Sequence, residues 1–160
     1  MPEDLDSWWS RITTSIAASR LFLWISPAVV PHIDRFIHRI TGGRVMISGG
    51  ILPSLMLTSV GAKSGLSRTT PLAAKPEGDH WYVVGSNFAR EAHPAWSANL
   101  IANPNAEISF NGSDVAVVAH LLTPEEKADV WPRIVRFWPN YEVYAERSGR
   151  DLRVFRLDPR

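Results

Sequence analysis

The chain contains 160 residues, of which 45 % are hydrophobic and 21 % are charged. These proportions are typical of a globular domain, so they exclude a generally disordered chain and a collagen-like or low-complexity protein. The 17 Lys and Arg residues nearly balance the 16 Asp and Glu residues, which argues against a nucleic-acid-coating protein. The sequence has no cysteine, which excludes disulfides and thiol catalysis, and its seven tryptophans favour a large flat ligand or a membrane-interface surface.

The first 50 residues are predicted to form a helical segment that precedes the main domain. Apolar residues recur at helical spacing over residues 5–16 and again over residues 29–40, where the opposite face carries His32, Arg35, His38 and Arg39. An apolar face beside a basic one is typical of interfacial helices and also of ordinary surface helices. Contact with the inner face of the cell membrane and packing against the rest of the protein therefore both remain open.

The same segment predicts neither a secretory signal nor a membrane span. Residues 1–6 are acidic, whereas a signal peptide carries positive charge before its apolar stretch. The most apolar region, residues 21–30, has about half of the ~20 residues that a spanning helix needs and contains Pro27. We therefore expect a cytoplasmic protein with at most a peripheral membrane contact.

Residues 51–160 are predicted to form a small antiparallel β-barrel with inserted helices, an α+β fold. Asn111-Gly112 is a strong hairpin signal, and Pro71 is expected to interrupt the second strand because proline lacks an N–H group. Residues 61–65 and 76–79 carry turn sequences between the first three strands. The predicted strands cover residues 54–60, 66–75, 80–86, 106–110, 115–122 and 152–157.

Three helices are predicted among these strands. Pro94 opens the first, over residues 95–102. Thr123-Pro124-Glu125-Glu126 is a capping box for the second, which runs to about Trp138 with a kink or restart at Pro132. Residues 141–147 are predicted to add one or two more helical turns.

The common catalytic motifs are missing. The sequence contains no G-x-G-x-x-G, no P-loop, no H-E-x-x-H and no G-x-S-x-G. Its five histidines lack the i, i+4 pairing that a zinc site on a helix would need. We therefore predict that the protein has no metal site.

The first candidate site is the turn at residues 61–65 with the strand that follows it. Two glycines flank Lys63, so backbone N–H groups there can form an anion-binding nest, and Arg68 adds a second positive charge beside Ser and Thr hydroxyls. This chemistry suits a phosphate or a carboxylate. A solvated hairpin tip with incidental charges is the alternative.

The second candidate site joins the end of the third strand to the helix after Pro94. Small residues at positions 85–87 let the backbone approach a flat ligand, and a helix N-terminus nearby offers N–H donors to a negative group. Trp96 and Leu100 are also spaced as one helix face that packs on the barrel.

Four separated segments together resemble the deazaflavin-dependent nitroreductase family. They read L-T-S-V-G-A-K-S-G-L-S-R-T-T-P-L (residues 57–72), V-V-G-S-N (83–87), H-P-A-W-S-A-N-L-I-A-N-P (93–104) and P-N-Y-E-V-Y (139–144). The resemblance is collinear over residues 55–159, and it implies a flavin-reductase-like split β-barrel that binds coenzyme F-420 and reduces quinones or nitroaromatics. This coenzyme is an 8-hydroxy-5-deazaflavin with a phospholactyl oligoglutamate tail.

The resemblance also implies roles for individual residues. The residues that would hold the phosphate and glutamate tail are Ala62, Lys63, Ser64, Arg68, Thr69 and Thr70. Those that would line the ring system or complete its cleft are Pro71, Val84, Gly85, Ser86, Asn87, Ala95, Trp96, Ser97 and Asn99. Family members often carry aromatic residues where this chain has Ala73 and Ser97, which implies a pocket of different shape.

A deazaflavin donates a hydride, so the protein must supply a hydrogen bond or a proton at the acceptor oxygen. Ser86 is the first candidate for this donor, and Tyr141 and Tyr144 are the second, with Trp138 beside them in the acceptor pocket. The alternative is that both tyrosines only pack the helix. An FMN- or haem-binding protein of the same barrel and a non-catalytic deazaflavin carrier remain alternative functions.

Overall fold

The computed structural model describes residues 52–160. The predicted N-terminal helical segment, its basic face and its membrane contact lie outside the described residues, so they stay predictions. No helix within residues 52–160 is long and apolar enough to span a bilayer.

Six antiparallel strands form a closed barrel, as the sequence predicts, and their order around the barrel is β1-β2-β3-β6-β5-β4. The strands are β1 (Ser54–Val60), β2 (Ser67–Glu77), β3 (His80–Val84), β4 (Asn105–Phe110), β5 (Ser113–Leu121) and β6 (Val154–Pro159). The helices are α1 (Ala95–Ala102), α2 (Pro124–Phe137) and α3 (Asn140–Ser148). The predicted hairpin is confirmed between β4 and β5, where Asn111 and Gly112 both have positive φ, at 50° and 80°.

Two proline predictions are wrong. β2 runs unbroken through Pro71 and Pro76, and the turn before β3 is confined to residues 78–79. The reason is the pairing: β2 pairs with β1 over residues 67–73 and with β3 over residues 74–77, so each residue has a partner on one side. A proline costs no ladder hydrogen bond when its missing N–H would face the unpaired side.

The capping box predicted at Thr123 and Glu126 is confirmed. The helix α2 continues through Pro132, so the predicted restart at this proline does not occur. Ala128, whose carbonyl loses its helical donor at Pro132, is exposed, so water can take the place of that donor.

The core has two parts, and β3 contributes to both because successive side chains of a strand point to opposite faces. The barrel interior holds Val83 together with Leu55, Leu57, Ala74, Trp96, Leu100, Ile108, Val117, Ala119, Phe155 and Leu157. The helix-side cluster, between the barrel wall and α2 and α3, holds Tyr82, Val84, Leu122, Val130, Ile134, Trp138, Tyr141, Tyr144, Leu152 and Val154. The predicted packing of Trp96 and Leu100 on the barrel is confirmed.

Candidate functional site

The helix α1 connects the two candidate stretches of the sequence. The backbone N–H of Ala62 donates to Oδ1 of Asn99 over 2.9 Å, which ties the turn at residues 61–65 to the middle of the helix. At the other end of α1, a Cβ added to Gly85 would lie 3.4 Å from Cγ of Pro94, so the end of β3 packs directly against the residue that precedes the helix. The tertiary structure thus places both stretches along one helix.

Most backbone N–H groups of the turn at residues 61–65 already donate hydrogen bonds within the protein. The N–H of Gly61 donates to the Leu66 carbonyl and the N–H of Gly65 to the Gly61 carbonyl, while the N–H of Leu66 donates to the Ser64 hydroxyl over 3.3 Å. The amides of Lys63 and Ser64 make no hydrogen bond to another described residue. The predicted anion nest is therefore limited to two N–H groups, with the Lys63 side chain beside them.

A side chain at Gly61 would require neighbouring groups to move. An added Cβ would lie 2.5 Å from Oγ of Ser64 and 3.2 Å from the Leu66 carbonyl oxygen. Arg68 lies on the same side, with its Cγ 3.8 Å from that position. The absence of a Cβ therefore lets the turn close beside the Arg68 side chain.

Cationic and hydroxyl side chains continue from the turn into β2. Lys63, Arg68 and Thr69 are exposed, and neither cation forms an ion pair within residues 52–160. The Thr69 hydroxyl lies 3.1 Å from that of Thr58, and Thr70 and Pro71 are half-buried. Because β2 pairs only with β1 here, its other edge keeps backbone groups for a ligand.

The end of β3 presents backbone rather than side chain at most positions. Val84 turns its side chain into the helix-side cluster, and the Gly85 N–H donates to the Arg153 carbonyl over 2.8 Å. Ser86 is half-buried, and its hydroxyl makes no hydrogen bond to another described residue. Of the side chains at 84–86, Ser86 alone is therefore placed to donate to a ligand.

The three residues after Ser86 all adopt left-handed backbone. Asn87, Phe88 and Ala89 have φ of 47°, 52° and 62°, and each left-handed residue with a side chain costs roughly 1–2 kcal/mol. The Ala89 N–H donates to the Ser86 carbonyl, and Nδ2 of Asn87 donates to the Ala92 carbonyl over 2.8 Å. Strained backbone of this kind persists where surrounding contacts hold it, and it is concentrated at functional sites.

The predicted ring contacts on α1 are mostly buried. Trp96 lies in the barrel interior with its ring centroid 5.7 Å from that of Phe155. The Ser97 hydroxyl donates to the Pro94 carbonyl over 2.7 Å and accepts from Nη1 of Arg153 over 3.1 Å, and Ser97 is fully buried. Of the four α1 residues predicted to contact the ring, Ala95 alone is exposed.

The aromatic residues predicted to cap the acceptor are buried in the helix-side cluster. Trp138, Tyr141 and Tyr144 are 7 %, 5 % and 3 % exposed. Burial raises the pKa of the Tyr141 phenol well above its usual range, and burial also raises the pKa of Tyr144. Tyr144 contacts Phe88 of the left-handed turn edge to face, with 6.4 Å between ring centroids. The two tyrosines therefore pack beneath the loop after β3, on the side of the helix-side cluster.

Sequence analysis missed Arg150 and Arg153. Arg153 joins α1 to the end of β3 through the contacts described above. Arg150 follows α3, and its guanidinium reaches residues 85–93. No local pattern marks either arginine, because the groups that their guanidinium groups contact lie more than 55 positions away along the chain.

Comparison with known proteins identifies the family. The model of a family described as F420H(2)-dependent quinone reductase matches residues 32–159. The chain belongs to this family. An F420H(2)-dependent quinone reductase of Mycobacterium tuberculosis strain H37Rv is 32 % identical over 133 residues, which cover 78 % of this chain and 86 % of that protein.

Solved structures agree with this quinone reductase family assignment. A structure titled as an F420-H2 dependent reductase is 30 % identical, with a TM-score of 0.61, and covers 66 % of this chain and 94 % of that one. A second structure, described as a domain-swapped dimer, is 28 % identical, with a TM-score of 0.63, and covers 78 % of this chain and 95 % of that one. The split-barrel fold and the cofactor implied by the resemblance, coenzyme F-420, are therefore those of the family.

The donor set at the first stretch fits the coenzyme of this quinone reductase family. The tail of the coenzyme is anionic, and the residues beside it would be Lys63, Arg68, two unbonded amides and several hydroxyls, which all suit anions. Residues 52–160 contain no group of three or more His, Asp or Glu side chains that could hold a metal ion.

Proposed function

We propose that this protein reduces a quinone with the hydride that reduced coenzyme F-420 supplies when bound. The observation that carries the proposal is the connection through α1 between an exposed cationic turn and the half-buried Ser86 at the end of β3. One end suits an anionic tail, and the other offers backbone and one hydroxyl to a flat ring and its acceptor. The family membership supports both assignments.

We assign tail binding to the turn and the first half of β2. Lys63 and Arg68 supply full charges, the amides of Lys63 and Ser64 supply neutral donors, and Thr69 and Thr70 supply hydroxyls. Ala62 contributes through position only, since its N–H already bonds to Asn99. Asn99 acts in this scheme by holding the turn rather than by touching the coenzyme.

We assign the ring side of the site to exposed or half-buried groups near the end of β3. These groups are Pro71, Ser86, Asn87 and Ala95, together with the backbone at Val84 and Gly85. Trp96 and Ser97 support the wall from the core. Because Ser97 is fully buried, its small size does not by itself widen the acceptor pocket.

Ser86 is our candidate for the group that stabilises the acceptor oxygen. Its hydroxyl is half-buried and uncommitted to other described residues, whereas the phenols of Tyr141 and Tyr144 are buried and have raised pKa values. A hydroxyl that donates a hydrogen bond to developing negative charge lowers the barrier without losing its proton. The tyrosines rank second, and Trp138 lies beside them in the helix-side cluster.

A lipid-soluble quinone would make a peripheral membrane contact useful. The apolar and basic faces predicted within residues 1–50 support such a contact at the inner face of the cell membrane.

A nitroaromatic is the second acceptor class, since a hydrogen bond from the Ser86 hydroxyl would also stabilise negative charge on a nitro oxygen.

A cofactor titration tests the function. The full chain is titrated with oxidised coenzyme F-420, FMN and haem, and the change in visible absorbance is followed for each, near 420 nm for the deazaflavin. Reduction of menadione is then measured from the loss of reduced deazaflavin under anaerobic conditions. Saturable binding of the deazaflavin with turnover supports the proposal. Binding without turnover indicates a carrier, and preference for FMN or haem contradicts the proposal.

A further inference from the structure

Arg150 connects the segment after α3 to the loop that follows β3. Its Nη2 donates to the Ser86 carbonyl over 2.8 Å, its Nε to the Arg90 carbonyl over 2.9 Å, and its Nη1 to the Gly85 carbonyl over 3.4 Å. All three guanidinium nitrogens therefore contact acceptors of one short loop. These carbonyls lie on both sides of the left-handed turn Asn87–Ala89.

This set of acceptors contains no carboxylate. Among the described residues no Asp or Glu pairs with Arg150, and the neighbouring Asp151 pairs with Lys127. An arginine in an ordinary ion pair would direct its planar fork at a carboxylate. Here the Arg150 guanidinium donates to three backbone carbonyls of the loop instead, as expected of a side chain that holds the loop in place.

His93 completes the contact set. Nη1 of Arg150 lies 2.9 Å from Nδ1 of His93, and since a guanidinium can only donate, Nδ1 must be the unprotonated nitrogen of a neutral ring. The charged groups around the ring are Arg150, Arg153 and Asp151. Burial, followed by the charges of the two arginines, lowers the pKa of His93, which agrees with a neutral ring.

We propose that Arg150 is a positioning residue that holds residues 85–90 in their strained conformation and thereby places the Ser86 hydroxyl. The expected consequence for catalysis rests on the function proposed for Ser86. The consequence for the loop itself does not, because all of the contacts join residues of the chain. The two consequences can be measured separately.

Hydrogen exchange of the full chain without coenzyme tests the loop directly. Arg150→Lys keeps the positive charge but loses the fork, and Arg147→Lys is the matched control on the exposed face of α3. In Arg150→Lys the amides of Ala89 and Arg90, which bond within the loop, are expected to exchange about tenfold faster or more, with exchange in β4 and β5 unchanged. Equal loop exchange in the two variants, or equal acceleration throughout the barrel, would overturn the proposal.

Kinetics provide the second measurement. Arg150→Lys is expected to lower kcat for menadione by about tenfold while the Kd for coenzyme F-420 changes much less, because the charged contacts that we assign to the coenzyme tail come from Lys63 and Arg68, which this variant keeps. A change in Kd without a change in kcat would overturn the proposed placement of Ser86. If the parent protein fails to reduce any quinone, the proposed function fails, and the exchange result still decides the role of Arg150.

A second variant covers the case in which Arg150→Lys does not fold. His93→Ala removes one of the four contacts of the Arg150 guanidinium. We then expect hydrogen exchange faster than in the parent, confined to residues 85–93. Loop exchange identical to the parent would count against the proposal.

Discussion

The side-chain oxygen of Asn99, in the middle of α1, accepts a 2.9 Å hydrogen bond from the backbone N–H of Ala62 in the turn after β1. Asn99 is buried, and its Nδ2 also donates to the Ser59 hydroxyl over 3.4 Å. A residue that sequence similarity assigns to the coenzyme therefore holds the turn that we assign to the coenzyme tail.

Replacing Asn99 should loosen this turn. Asn99→Ala removes the partner of the Ala62 N–H, so we expect a loss of about 0.5–1.5 kcal/mol in the free energy of unfolding and weaker binding of coenzyme F-420. Ser59→Ala is the control, because it removes only the longer contact. Urea unfolding and the cofactor titration measure the two effects. Equal results for both variants would show that the Ala62 contact does not support the site.

Coenzyme binding should depend on Lys63 and Arg68, the two exposed cations of the turn and the first half of β2. Each charge-assisted contact contributes about 1.5–3 kcal/mol to binding. Lys63→Ala or Arg68→Ala should therefore raise the Kd for coenzyme F-420 about tenfold or more and reduce its dependence on salt. Arg136→Ala, an exposed arginine on α2, is the control. Titrations at two salt concentrations measure both effects. Parent-like binding by both variants would remove the tail assignment.

Ser86→Ala should separate chemistry from binding. The variant loses a donor to charge that appears during hydride transfer, so kcat should fall more than the coenzyme Kd rises. Tyr141→Phe and Tyr144→Phe should keep most of kcat, because their rings lie in the helix-side cluster and the Phe variants preserve that packing. Steady-state menadione reduction measures the three variants. If Ser86→Ala keeps full kcat while a Tyr→Phe variant loses activity, a tyrosine rather than Ser86 is the group that acts on the acceptor oxygen.

Stability should fall in mild acid because of His93. Its pKa in the folded protein is below the ordinary value of 6.5, so the unfolded chain binds a proton at a pH where the folded chain does not. The free energy of unfolding should therefore decrease as the pH falls below about 6.5 and should level off below the folded-state pKa. His93→Asn keeps an acceptor near Nδ1 without titrating, so its stability should change less between pH 7.5 and pH 5.5. The same pH dependence in parent and variant would exclude His93 as the source.

Removal of the first 40 residues tests the proposed membrane contact. The truncated chain should bind anionic vesicles less tightly than the full chain while it keeps nearly the same Kd for coenzyme F-420. Vesicle co-sedimentation at low and moderate salt measures the difference. Equal vesicle binding would contradict a membrane role, and loss of folding on truncation would support helices that pack on the barrel.

The local elements of this protein could be predicted from its amino-acid sequence. The bounds of β1 and α1, the Asn111-Gly112 hairpin and the capping box at Thr123 follow from residue propensities, turn chemistry and short-range hydrogen bonds, and all are present. The family could also be recognised, because its four motifs occur in order along the chain. These features depend on residues close together in sequence.

Which candidate residues are exposed to a ligand and which support the site depends on long-range packing. Asn99, Ser97 and Tyr144 have residue types suited to a site, yet packing against Ala62, Arg153 and Phe88 makes them supporting residues. In the same way, β2 tolerates Pro71 because its pairing changes sides, and Arg150 finds its acceptors about 60 positions away. Such contacts join distant parts of the chain, so no local pattern of residues could predict them.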